Sequence, residues 1–178
     1  SKTNNVLKKI KKKFKKIDLI ISCAGASKKT YKKKETMKDW VFSFNNNFFC
    51  FTNLLDAYLK IYGHKPTKII VISSIASDKI TKAPITYSVA KSALNFYAQM
   101  KAKDLAQNNI KINILLPGNI LMESNNWSKK LKRNYREVKR YIKKNVPLNK
   151  FCKPNQIAKI CDYLLNESGD NITGSKFI

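Results

Sequence analysis

Three short, mostly apolar runs limit what this chain can fold into: IDLIISCAG at 17–25, TKIIVISS at 67–74 and IKINILLPG at 110–118. Each is strand-length, far below a membrane span. Each is apolar on both faces, as a strand covered from both sides must be. Helix-length stretches separate them. At 6–17, Val6, Leu7, Ile10, Phe14 and Ile17 recur at helical spacing with lysines opposite. Lys38 to about Tyr62 is long and rich in Phe and Leu, and Pro84 precedes a third helix over roughly 86–107. Beyond the third run, a basic helix covers about 127–144 and a shorter one about 154–166, and SKFI at 175–178 starts a last strand. This alternation is the pattern of a parallel sheet with helix layers on each side. Such sheets bind ligands beyond the carboxyl ends of their strands. Gly25, Ser74 and Pro117-Gly118 stand at those ends.

The chain has 178 residues, 43% of them hydrophobic, which is enough for one domain with its own core and too apolar for disorder. The stretch before Ile17 is charged throughout and lacks the apolar segment of a secretory signal. Cys23, Cys50, Cys152 and Cys161 form no C-x-x-C pair, so a reducing, cytoplasmic setting is expected. The formal charge of +25 invites a nucleic-acid reading. Only Arg133, Arg136 and Arg140 among the 36 basic residues are arginine, whereas base readout and bidentate phosphate contact favour arginine. Nucleic acid is therefore not the expected partner. The one histidine, His64, excludes a histidine-rich metal site, and no metal is expected. A Ser-His-Asp hydrolase would need that residue and a G-x-S-x-G elbow, which is absent.

Tyr87 and Lys91 lie one turn apart at the start of the third helix, so phenol and ammonium can reach one point. Ser74 precedes Tyr87 by thirteen positions. With SCAG at 22–25, LLPGNI at 115–120 and the segment from VPLNKFCKPNQIA to NITGSKFI, these motifs fall in an order that resembles the classical short-chain dehydrogenase/reductase family, specifically its 3-oxoacyl carrier-protein reductases. The resemblance runs from the first helix to the last residue. It implies a Rossmann-like doubly wound parallel sheet and an oxidoreductase that uses NAD or NADP to reduce a carbonyl or oxidise an alcohol.

Carried over residue by residue, the resemblance makes Tyr87 the acid/base and Ser74 the substrate orienter. Lys91 becomes the partner of Tyr87 and the ribose ligand. A free tyrosine titrates near ~10, and a neighbouring ammonium is expected to bring it down. The family's fourth catalytic residue is an asparagine in the long helix, and FNNNFF offers Asn45, Asn46 and Asn47. Counting from Trp40 gives Asn47, and counting back from Ser74 gives Asn46. Asn47 also lies in the apolar stripe of Phe44, Phe48, Phe51 and Leu55, which favours it as the relay to the lysine. Ala24, Gly25, Pro117, Gly118 and Ile120, with Tyr87 and Lys91, are expected to line the cofactor.

The chain departs from the family in SCAG, whose Ser22 and Cys23 replace two asparagines, and in Met122, where a threonine often contacts the cofactor amide. Its five glycines form no T-G-x-x-x-G-x-G cluster of the kind that cradles a pyrophosphate. In the family, two βα units, about 60 residues, precede this point. The expectation is one incomplete Rossmann-like domain over 1–178, with its N-terminal βαβα units missing, its sheet edge exposed and its activity impaired by itself. A substrate loop or lid helix is expected at about 119–146. All three arginines lie there, with many lysines, which fits an anionic or carrier-linked substrate. The family's dimers or tetramers form through the helices at 38–62 and 86–107. The alternative is a catalytically inactive remnant of the fold that binds an acidic partner or nucleic acid as a scaffold.

Overall fold

The computed structural model describes residues 2–28, 34–123, 125–166 and 169–178, the side chain of Asn126 excepted. These divide into two compact units, Ser1–Leu116 with Asn171–Phe177, and Pro117–Asp170 with Ile178. The expected lid at about 119–146 lies inside the second.

The three apolar runs become β1 (Leu19–Ser22), β2 (Thr67–Ile72) and β3 (Ile110–Leu115), and β4 is Lys176–Phe177. They form one sheet in the order β1-β2-β3-β4. All neighbours are parallel, with Ile21 opposite Ile70, Val71 opposite Ile114 and Leu115 opposite Phe177. The sheet is thus the Rossmann-like α/β arrangement expected. Among the described residues β1 pairs only with β2, and Ile21 is 42% exposed.

Three helices of this unit share a core with one sheet face: α1 (Lys2–Lys13), α3 (Cys50–Tyr62) and α4 (Ile85–Leu105). Leu7, Phe51, Leu55, Leu94 and Ala98 meet Ile69, Val71, Ile112 and Ile114 there. A side chain such as Leu55, 1% exposed, contributes about 1.5–3 kcal/mol by leaving water. α1 is shorter than its periodicity predicts. It ends on Lys11, Lys12 and Lys13, cations that favour a helix C-terminus, and Phe14 beyond it is 61% exposed.

The long helix is not uniform. α2 (Met37–Phe44) starts in a capping box: the Asp39 amide donates to Thr36 Oγ1 at 3.3 Å and the Thr36 amide donates to Asp39 Oδ2 at 2.9 Å. A π-helical segment, Asn45–Phe49, then leads into α3. Past β3, the buried Asn113 fixes the returning chain. Its Nδ2 donates to Ile172 O at 2.8 Å and its Oδ1 accepts from Ser175 N at 3.1 Å. Gly174 takes φ +73 between these contacts, a left-handed conformation that favours glycine.

In the second unit the expected single helix over 127–144 is two, α5 (Asn126–Arg133) and α6 (Tyr135–Asn145), followed by α7 (Pro154–Leu165). Asn134 takes φ −150 and ψ 78, and its Oδ1 accepts from Glu137 N at 3.1 Å, so it ends one helix and caps the next. Val138 and Ile142 are buried, while Tyr135 is 59% exposed. Trp127 packs on Tyr141 and Phe151 at ring separations of 5.1 and 5.5 Å. No helix among the described residues is long and apolar enough to cross a membrane.

Candidate active site

The carboxyl ends of β1 and β2 meet the start of α4. Ser74, just past β2, caps a 3-10 turn at Ile75–Ser77, and its Oγ accepts from Ala76 N at 3.2 Å. That contact uses a lone pair and leaves the hydroxyl hydrogen free. Tyr87 is half-buried in the first turn of α4, near enough to the Ser74 hydroxyl for that group to act on its phenol. Lys91, one turn on, is 3% exposed. Its ammonium donates to Ile72 O at 3.1 Å and makes a longer contact to Ala24 O at 3.5 Å. It thereby holds the ends of the two strands together from below.

Of the three asparagines, only Asn47 is buried, at 0% exposure. Its Nδ2 donates to Ala26 O at 2.7 Å and Ser43 O at 2.9 Å, and its Oδ1 accepts from Ala26 N at 3.1 Å. Asn47 therefore clips the loop after β1 to the helix. Asn46 turns back to Phe42 O at 2.8 Å, and Asn45 is exposed. A Cβ on Gly25 would lie 3.0 Å from Asn47 Oδ1 and 3.1 Å from Lys91 Nζ. A side chain there would press on both groups, and one of them would have to give way by a few tenths of an ångström.

The electrostatics differ from the expectation. Burial pushes the Tyr87 phenol up, with the Ser74 hydrogen bond acting the other way. Burial also brings the Lys91 ammonium down, opposed by the nearby Cys50 and Cys23 thiols. The expected lowering of Tyr87 by Lys91 is not what this arrangement produces, because the ammonium is turned toward carbonyls and sits in a low-dielectric place. Cys50 is raised by burial, which the Lys91 charge partly offsets.

The structure thus brings Ala24, Gly25, Asn47, Ser74, Tyr87 and Lys91 together in the first unit. Pro117, Gly118 and Ile120 belong to the second, where Cys152 N donates to Asn119 O at 2.9 Å beside a parallel bridge from Ile120 to Cys152. Sequence reasoning missed Ser43, Ser77 and Asn95. Ser43 Oγ donates to Thr86 Oγ1 at 2.9 Å and ties α2 to the start of α4. Ser77 and Asn95 bond to each other at 2.6 Å beneath Ser74. The one available signal was Asn95 itself, a polar residue one turn past Lys91 on the same helix face.

Residues 1–178 match a protein family described as enoyl-(acyl carrier protein) reductase. An acetoacetyl-CoA reductase of Cupriavidus necator is 24% identical over 176 residues, which are 98% of this chain and 69% of that protein. A 3-oxoacyl-[acyl-carrier-protein] reductase of Chlamydia trachomatis is 26% identical over 159 residues, 89% of this chain and 62% of that protein. Among solved structures, NADP-bound ElxO superposes with a TM-score of 0.88 at 25% identity, over 98% of this chain and 70% of that one. L-sorbose reductase from Gluconobacter frateurii, in complex with NADPH and L-sorbose, gives 0.86 at 21% identity over 98% and 69%. The chain spans about two thirds of the length of these relatives.

Proposed function

Since the chain belongs to the short-chain dehydrogenase/reductase family, we propose that it forms the catalytic part of an NAD(P)-dependent oxidoreductase acting on a carbonyl or alcohol. The observation that carries this reading is the convergence of Ser74, Tyr87 and Lys91 at the strand ends around an exposed Ala24-Gly25 backbone. The residues present fit the ribose and nicotinamide end of a dinucleotide. A methyl group at Gly25 would crowd Asn47 Oδ1 and Lys91 Nζ, so glycine leaves both free to keep their positions. Lys91 is a buried cation with no carboxylate paired to it among the described residues, so it has donor capacity left for a sugar hydroxyl.

When bound, the cofactor supplies or accepts the hydride. Ser74 donates its free hydrogen to the substrate oxygen and fixes its direction. Tyr87, kept protonated by burial, gives its proton to that oxygen during reduction. Lys91 holds the ribose and the two strand ends. Asn47 fixes the backbone at Ala26, so the Ala24-Gly25 edge presents one shape to the cofactor.

The substrate we favour is a 3-oxoacyl thioester on an acidic carrier or a coenzyme. Support comes from the printed activities of the two relatives and from the basic α5 and α6. A cytoplasmic place of action, from the cysteine usage, belongs to the same proposal. So does a dimer or tetramer built on α2, the π-helical segment, α3 and α4, with Met37, Val41, Phe49 and Phe96 at 76, 50, 44 and 68% exposure.

The test is NADPH- and NADH-dependent reduction of acetoacetyl-CoA by the natural full-length protein and its Tyr87→Phe variant. General acid catalysis at Tyr87 predicts a fall in kcat of about 10²–10⁴ with the melting temperature unchanged. Equal rates in the two proteins, or none in either across a panel of carbonyl substrates, would sink the reading.

A further inference from the structure

Asn95 stands two turns beyond Tyr87 and one beyond Lys91, on the inner face of α4, and is 5% exposed. Its Nδ2 donates to Ser77 Oγ at 2.6 Å. Ser77 Oγ in turn donates to Ser74 O at 2.5 Å. A carbonyl can only accept, so the single Ser77 hydroxyl hydrogen is committed to Ser74. The group that Asn95 presents must therefore be its amide NH₂, and the direction of the chain is fixed from Asn95 to Ser77 to Ser74. Ser92 Oγ donates to Ser77 O at 2.6 Å and Ser77 N donates to Ser74 O at 3.0 Å, so the short turn is held on both sides.

The remaining atom of the amide has no such use. Asn95 Oδ1 is buried and has no hydrogen-bond partner among the described residues. An orphaned buried acceptor is costly, and a leucine would fill the same space without that cost. The asparagine is worth keeping for its donor.

We propose that Asn95, acting through Ser77, is the positioning residue that fixes the Ser74 backbone and so aims the Ser74 hydroxyl at the substrate oxygen. The inference rests on the reading of Ser74 as substrate orienter. Three residues on one face of one helix then each set a separate part of the site. Tyr87 stands near Ser74, Lys91 spans the strand-end carbonyls, and Asn95 holds the turn beneath.

Two variants test it. Asn95→Asp keeps the shape, and its ionised carboxylate can only accept, so it draws the Ser77 hydrogen away from Ser74 O. Asn95→Leu removes the donor outright. The first readout is amide hydrogen exchange, which needs no activity. Ala76 N, which donates to Ser74 Oγ, and Ser77 N should lose about tenfold in protection in both variants, the loss expected for about one hydrogen bond, while Ile114 in β3 keeps its own. The second is kinetic: kcat falls by about tenfold with KM for the dinucleotide unchanged. Unaltered protection at Ala76 in both variants, or a loss shared equally with Ile114, overturns the positioning role. A wild-type protein that reduces no carbonyl would defeat the oxidoreductase reading instead, and the exchange result would still decide whether Asn95 holds the turn.

Discussion

The two faces of α4 invert the usual rule for a surface helix. Its inner face buries Lys91 and Asn95 among Ala90, Leu94, Ala98 and Ala102. Its outer face shows Ile85, Val89, Phe96 and Met100 at 57, 42, 68 and 49% exposure. Helices normally place cations in water and large apolar side chains in the core. Both reversals cost stability in an isolated chain, and each has a use. The buried cation and amide shape a site. The exposed stripe recurs at helical spacing, as expected of a face that packs on another surface.

The comparison breaks most easily at Lys91. On the proposed reading Lys91→Met removes the ribose donor, so kcat/KM should drop by roughly 10³. The same change removes a buried charge and should raise stability by about 1 kcal/mol, or ~2–4 °C in melting temperature. The pH dependence gives the sign. The folded-state pKa of Lys91 is lowered, so the unfolded chain holds more protons between that value and the ordinary lysine value of ~10.4. Wild-type stability therefore rises with pH across that window, and Lys91→Met lacks the rise. Cys50 acts oppositely above ~8.5 and Tyr58, Tyr87 and Tyr97 above ~10, all raised by burial, so the slope is read as the difference between the two proteins. Denaturant unfolding at a series of pH values settles this; a less stable Lys91→Met with the same slope would mean that the inner face is structural only.

The outer face is probed by Phe96→Glu. It should weaken self-association by at least tenfold, with the fold intact by circular dichroism. A protein that sediments identically before and after would leave the exposed stripe without the role given to it. The smallest effect is expected in the second unit. Replacing Arg133 and Arg136 by Glu should raise KM for a carrier-linked or CoA substrate by severalfold at low salt and hardly at all at high salt, because exposed charges are screened. A salt-independent KM would remove α5 and α6 from substrate attraction.

The sequence made much of this legible, and its failures share a cause. β2 and β3 were readable because six-residue apolar runs between helix-length segments leave little choice. Asn47 was distinguishable from its neighbours because an asparagine inside an apolar stripe must be buried and satisfied. The end of α1 was overrun because periodicity continues through Phe14 and Ile17, whereas the packing does not. The break at Asn134 had its signal, an asparagine three residues before Glu137, but the apolar spacing across it looked continuous. The direction of the Tyr87 and Lys91 shifts was out of reach, since it depends on burial and on where the ammonium points. Ser77 and Asn95 meet across eighteen residues of chain, a separation no local pattern records.

The π-helical turn at Asn45–Phe49 sets a condition on how this protein can change. A wide turn accommodates one residue more than an ideal helix, and one residue corresponds to about 100° of rotation. The π turn thus shifts the phase of α3 relative to α2: Ser43 bonds to Thr86, while Phe51 and Leu55 pack in the core against the sheet. Losing any one asparagine from the FNNNFF tract yields the same shorter sequence. The helix would then be free to become regular, and α2 would turn against α4 while α3 stayed in place. The most repetitive stretch near the site is thus fixed in length, and natural variation there should appear as substitution at Asn45 or Asn46 rather than as a gain or loss of a residue.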